Sequence, residues 1–126
     1  MRAVDTNVLV RLLTGDDPNQ TAAAESFVAP GAWVSHLVLA ETTWVLSAVY
    51  RVGPAAIATA VDMLLNHEAL TLQDADVARA ALQQYRATSG MSFSDCLVLE
   101  VARKNGHLPL GTFDRQLARL DGAQRL

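Results

Sequence analysis

The chain has one cysteine, Cys96, so no disulfide framework can hold it. It has one lysine, Lys104, and its longest apolar runs are short and interrupted by Glu, Thr, Arg or Asp. None of them could span a bilayer as a helix. A carboxylate at position 5, directly after Met1-Arg2-Ala3-Val4, excludes a signal-peptide core. No Cys or His motif stands at zinc spacing; His36, His67 and His107 are isolated and read as ordinary surface or core residues. These absences predict a cytoplasmic protein with no membrane partner. Positive charge is also short, the formal net charge being −3. A protein that grips nucleic acid by bulk electrostatics is usually basic. Any attraction for a polyanion must therefore be local, from bound metal and from arginines such as Arg11, Arg79, Arg86 and Arg115.

What is present is a globular balance, 51% hydrophobic and 18% charged over 126 residues, enough for one compact domain covering 1–126. Ala3 to Asp5 reads as a first strand. Asn7 to Leu13 reads as a helix capped by Thr6 or Asn7 and stopped by Gly15. Asp17-Pro18 opens a second helix through about Val28. Pro30-Gly31 turns into a strand over Ala32 to Ser35, and a helix is expected from Leu37 to Tyr50. Gly53-Pro54 opens another helix to about Asn66, and Leu70 to Leu72 is a strand. Asp74 is expected to cap a helix ending near Gly90, and Ser92 or Ser94 the next, which Asn105-Gly106 terminates. Leu108 to Gly111 reads as a strand, Arg115 to Leu120 as a helical turn, and Gln124 to Leu126 as a short last strand. Strands alternating with helices predict an α/β fold with a parallel sheet of four to five strands between helices.

In open α/β sheets ligands gather beyond the carboxyl ends of the strands, and Asp5, Asp95 and Asp114 fall there. Each also has a local explanation, as a turn, a first-turn acid complementing the helix dipole, or an N-cap. Glu41 has none. Its neighbours three and four positions away are Leu37, Val38, Trp44 and Val45, which predicts a buried face and a carboxylate in need of a cation. Glu100, with Arg103 and Lys104 at those spacings, reads instead as a solvated ion pair. Either a shared arginine or a divalent metal could compensate Glu41 and Asp95. An all-oxygen set favours Mg²⁺ or Mn²⁺.

The stretch Val4-Asp5-Thr6-Asn7-Val8-Leu9-Val10-Arg11-Leu12-Leu13 resembles the opening motif of the PIN-domain family, within it the VapC-type toxins. Val34-Ser35 through Leu39-Ala40-Glu41-Thr42-Thr43-Trp44-Val45-Leu46 is similar to its second motif, Phe93-Ser94-Asp95-Cys96-Leu97 to its third, and Thr112-Phe113-Asp114 to its fourth. The resemblance implies a metal-dependent ribonuclease with Asp5, Glu41, Asp95 and Asp114 around one or two Mg²⁺ ions. Thr6, Ser94 and Thr112 would support ligands or water. It further implies single-stranded RNA as substrate, a homodimer, and a small antitoxin protein as partner. Ser94 and Cys96 depart from the small apolar residues frequent there. The rival classes are a non-catalytic module on the same scaffold and a Mg²⁺-binding receiver-type signalling domain. The second needs paired acids after strand one and a lysine near a late strand, whereas Thr6-Asn7 follow Asp5 and Lys104 sits beside Arg103 in a helix tail. A phosphatase with Asp-x-Asp after strand one fails on Asn7.

Overall fold

A computed structural model describes residues 1–126, and every strand pairing in it is parallel. The α/β expectation therefore holds. The chain forms two compact units, Met1–Ala75 and Asp76–Leu126.

In the first unit β1 (Arg2–Ala3), β2 (Ala32–Val34) and β3 (Leu70–Leu72) form a sheet in the order β1-β2-β3. Arg2 is level with Ala32 and Ala32 with Leu70. Ala32, Val34, Leu70 and Leu72 are buried, while Trp33 and Thr71 between them keep solvent exposure. Cover is thus complete on one face and partial on the other. The helices are α1 (Thr6–Thr14), α2 (Pro18–Val28), α3 (His36–Ala48) and α4 (Pro54–Asn66). Leu9 and Val10 of α1, Leu39 of α3 and Val61 of α4 are among the most buried residues. Gly15 ends α1 at φ +62°, a conformation that costs glycine nothing, and Asp17 caps α2 with Pro18 at its first turn, both as expected. Ser35 does not extend β2. Its Oγ accepts from Val38 N at 3.1 Å and caps α3, which starts and ends earlier than the apolar pattern implied.

The second unit holds α5 from its second residue (the helix spans Ala75–Ala87) and α6 (Phe93–Lys104). β4 (Leu110–Thr112) pairs with β5 (Ala123–Arg125), and a 3₁₀ turn, Leu117–Arg119, lies between them. Tyr85 and Phe93 meet edge to face at 6.0 Å, a favoured aromatic geometry. Asp74 has φ +39°, outside the extended backbone of an N-cap, so it does not cap α5 as expected. α5 stops at Ala87, three residues short of Gly90. β4 begins two residues later than Leu108 because Pro109 has no N–H for the ladder; Leu110 N makes the first bond, to Gly122 O at 2.8 Å. β5 correspondingly starts at Ala123 and ends at Arg125.

One polar cluster ties the first unit's helices together. Asp16 accepts from Tyr50 Oη at 2.8 Å, from Thr14 Oγ1 at 2.8 Å and from Arg11 Nη1 at 3.2 Å. Arg11 also donates to Gln20 Oε1 at 2.6 Å and to Tyr50 Oη at 3.1 Å. The Tyr50 and Thr14 hydroxyls, with the Arg11 charge behind them, hold the Asp16 carboxyl below its ordinary range. A depressed folded-state pKa contributes stability above the unfolded carboxyl's range, and that contribution is lost as pH falls through the folded value. Tyr50→Phe removes the leading cause. Urea unfolding at neutral and acid pH should therefore show a smaller acid-induced loss in Tyr50→Phe than in wild type. Equal losses would mean that the Tyr50–Asp16 bond contributes nothing.

Candidate functional site

The first unit carries Asp5, Thr6 and Glu41. Asp5 is exposed two residues after β1, in extended backbone, and its Oδ1 accepts from Val8 N at 3.4 Å. It is therefore the cap of α1, where Thr6 or Asn7 was expected; Thr6 is already helical and buried. The cap uses one carboxylate oxygen and leaves Oδ2 uncommitted.

Glu41 is exposed, contrary to the expectation of burial. Leu37 and Trp44, on its own face of α3, are 83% and 60% exposed. The buried face is Leu39, Thr42, Thr43 and Leu46. Thr42 and Thr43 can turn inward because their hydroxyls donate to Val38 O at 2.7 Å and Ala40 O at 2.8 Å, which satisfies them without water. The desolvation argument for a cation at Glu41 falls with this. The buried carboxylate is Glu100, at 9% exposure, and Arg103 Nε reaches its Oε2 at 3.2 Å. The ion pair is the expected one, but its acid is buried rather than solvated.

The second unit carries Ser94, Asp95, Thr112 and Asp114. Ser92, not Ser94, caps α6 through a bond from Asp95 N to Ser92 Oγ at 3.1 Å, which sets the half-buried Asp95 in the first turn. A carboxylate there complements the helix dipole. Thr112 Oγ1 accepts from Asp114 N at 3.0 Å, and Asp114 Oδ1 accepts from Gln116 N at 2.8 Å and Leu117 N at 3.1 Å. Thr112 thus builds the turn that presents Asp114. Phe113, between them, is 80% exposed. The sequence pattern assigned it no role, although an aromatic ring lodged between the two polar residues of a site motif was a signal available to it.

By donor chemistry these residues fit a hard divalent cation. All four candidates offer oxygen only, and none is in a salt bridge. Cys96, next to Asp95, is buried, and burial pushes its thiol up to about 11. No group of three or more His, Cys, Asp or Glu side chains is arranged as a metal site in the chain as it stands. Charge is unevenly divided. Residues 1–75 carry Arg2, Arg11 and Arg51 against eight acids, whereas residues 76–126 carry seven basic side chains against five acids, a surplus of two. Arg11 is engaged by Asp16, Tyr50 and Gln20, whereas Arg79, Arg86 and Arg115 are exposed.

Because Asp5 serves as a cap, its two roles separate by substitution. Asp5→Ala should destabilise the fold by about 0.5–2 kcal/mol, whereas Asp5→Asn, an equally good cap, should melt close to wild type. Both remove the carboxylate charge. Thermal melting in EDTA decides, and an Asn variant that melts as low as the Ala variant would assign the stability to charge instead.

No helix is long and apolar enough to cross a membrane. No curated protein matches this chain. The crystal structure of Mycobacterium tuberculosis VapC20, described as a Sarcin-Ricin loop cleaving toxin, aligns over 98% of this chain and 98% of that one, with 22% identity and a TM-score of 0.44. At that TM-score the likeness carries no weight. The family model of the PIN domain matches residues 2–123, a span that includes all four acidic positions. The chain belongs to the PIN-domain family.

Proposed function

We propose that this PIN-domain chain is a single-domain endoribonuclease over residues 1–126 that hydrolyses single-stranded RNA with Mg²⁺, or Mn²⁺ in its place, and acts as the toxin of a toxin–antitoxin pair. The observation that carries the reading is the family match across residues 2–123, with Asp5, Glu41, Asp95 and Asp114 all inside it and none in an ion pair. In this reading Asp5, Asp95 and Asp114 hold the cation, and Glu41 either contributes to a second ion or orients the attacking water. A divalent cation so held supplies Lewis acidity for hydrolysis of the phosphodiester. Thr112 positions Asp114 through its backbone, and Thr6 and Ser94 stand beside Asp5 and Asp95 in sequence to support ligands or water. The partner is a small antitoxin protein that covers the acids with an arginine or lysine, the protein is a homodimer, and it works in the cytoplasm.

Cleavage of single-stranded RNA should require Mg²⁺ or Mn²⁺ and leave 5′-phosphate and 3′-hydroxyl ends, water attacking phosphorus as its bond to the 3′-oxygen breaks. Asp95→Asn should abolish it and shrink the rise in melting temperature that saturating Mg²⁺ gives the wild type. Products ending in a 2′,3′-cyclic phosphate, or full activity in EDTA, would overturn the mechanism.

A further inference from the structure

Phe113 stands at the carboxyl end of β4 with 80% of its surface in water. A ring so exposed adds almost nothing to the core, so its place in the fold does not explain it. Three arginines stand near it by sequence or strand register. Arg125 lies opposite Thr112 in the β4–β5 register, and Leu126 N donates to Thr112 O at 2.9 Å. Arg115 follows two residues after Phe113. Ala118 N donates to Asp114 O at 3.0 Å, and Arg119 ends the 3₁₀ turn that follows, its N donating to Gln116 O at 3.1 Å. Arg115, Arg119 and Arg125 are exposed, and none is in a salt bridge. They lie in the unit with the positive surplus, and Asp114 among them is the acid assigned above to the cation.

An exposed aromatic face among unpaired cations is the combination that binds single-stranded nucleic acid: the ring stacks on a base of any identity, and the guanidinium groups meet phosphates. We infer that Phe113 is the stacking platform for an unpaired base of the RNA substrate, with Arg115, Arg119 and Arg125 on the flanking phosphates. The inference rests on the nuclease reading for its substrate class. It answers how a chain of net charge −3 holds a polyanion, since the attraction is confined to one end of one small sheet. The positive surplus of this unit and three guanidinium groups in no salt bridge favour a polyanion over a protein surface, although Leu126 is also exposed there, at 65%.

The test measures Kd for a short fluorescein-labelled single-stranded RNA of mixed sequence, in an Asp95→Asn background that prevents cleavage. Adding Phe113→Ala should weaken binding by about 5- to 150-fold, the range for loss of one stacked base, while Phe113→Trp retains it. Adding Arg115→Ala or Arg125→Ala should each lower the slope of log K against log salt by about 0.7, the value for one single-strand phosphate contact. All these side chains are exposed, so melting temperatures should not move. An RNA affinity unchanged by Phe113→Ala, or no measurable RNA binding by the parent, overturns the inference. So does a Phe113→Ala defect confined to self-association or to a protein partner. Cleavage in Mg²⁺ by chains with Asp95 intact separates this from the nuclease reading. A chain that binds RNA through Phe113 yet cuts nothing overturns only that reading. A Phe113→Ala enzyme that cuts with wild-type KM overturns only the inference.

Discussion

The first backbone N–H groups of a helix have no partner within it, and in this chain oxygen-bearing side chains just before the helical turns supply one. Asp5 does so for α1, Ser92 for α6, and Asp114 for the turn after β4. Asp5 and Ser92 are in extended backbone immediately before their helices, so each cap fixes where the chain turns. Asp5 and Asp114 thereby stand at strand ends, and Asp95 in a first helical turn, whether or not a ligand is bound. Capping occupies Oδ1 of Asp5 and of Asp114 and leaves the second oxygen of each uncommitted.

Packing of α3 depends on a different compromise. Two threonines face inward because each returns its hydroxyl to a carbonyl of its own helix, so no polar group is buried without a partner. The cost falls on the other face, where Leu37 and Trp44 meet solvent beside Glu41. Exposed apolar area of this kind marks an interaction surface more often than a folding requirement. It also places Glu41 where a carboxylate is inexpensive, so the residue owes its candidacy to the family pattern and not to desolvation.

Net charge conceals the electrostatics that matter for a polyanion. The acidic surplus belongs to residues 1–75, and the basic surplus to residues 76–126. Within the basic part, Lys104 is engaged by Asp76, and Arg103 by Glu100 and by the Asp121 carbonyl at 2.6 Å. The remaining arginines there are solvated, and three of them flank the sequence that bears Asp114. A screened interaction with RNA depends on such local groups within about 8–10 Å rather than on the sum over the chain.

By itself the sequence determined what short-range chemistry decides. Gly15, Asp17-Pro18 and Asn105-Gly106 mark helix ends, Leu70 to Leu72 is a strand, and the α/β order follows from alternating patterns, because caps and turns depend only on residues two to four positions away. The four acidic motifs were legible for the same reason, each being a short run of neighbours. Only the tertiary structure decided which side of α3 lies inside, that Glu100 and not Glu41 is the buried carboxylate, that Arg11 is engaged by Tyr50 from 39 residues away, and that Phe113 is left in water. Burial and pairing of this kind depend on which distant segment arrives to cover a side chain. Local periodicity gives Leu37 and Trp44 the same hydrophobic weight whether that segment comes or not.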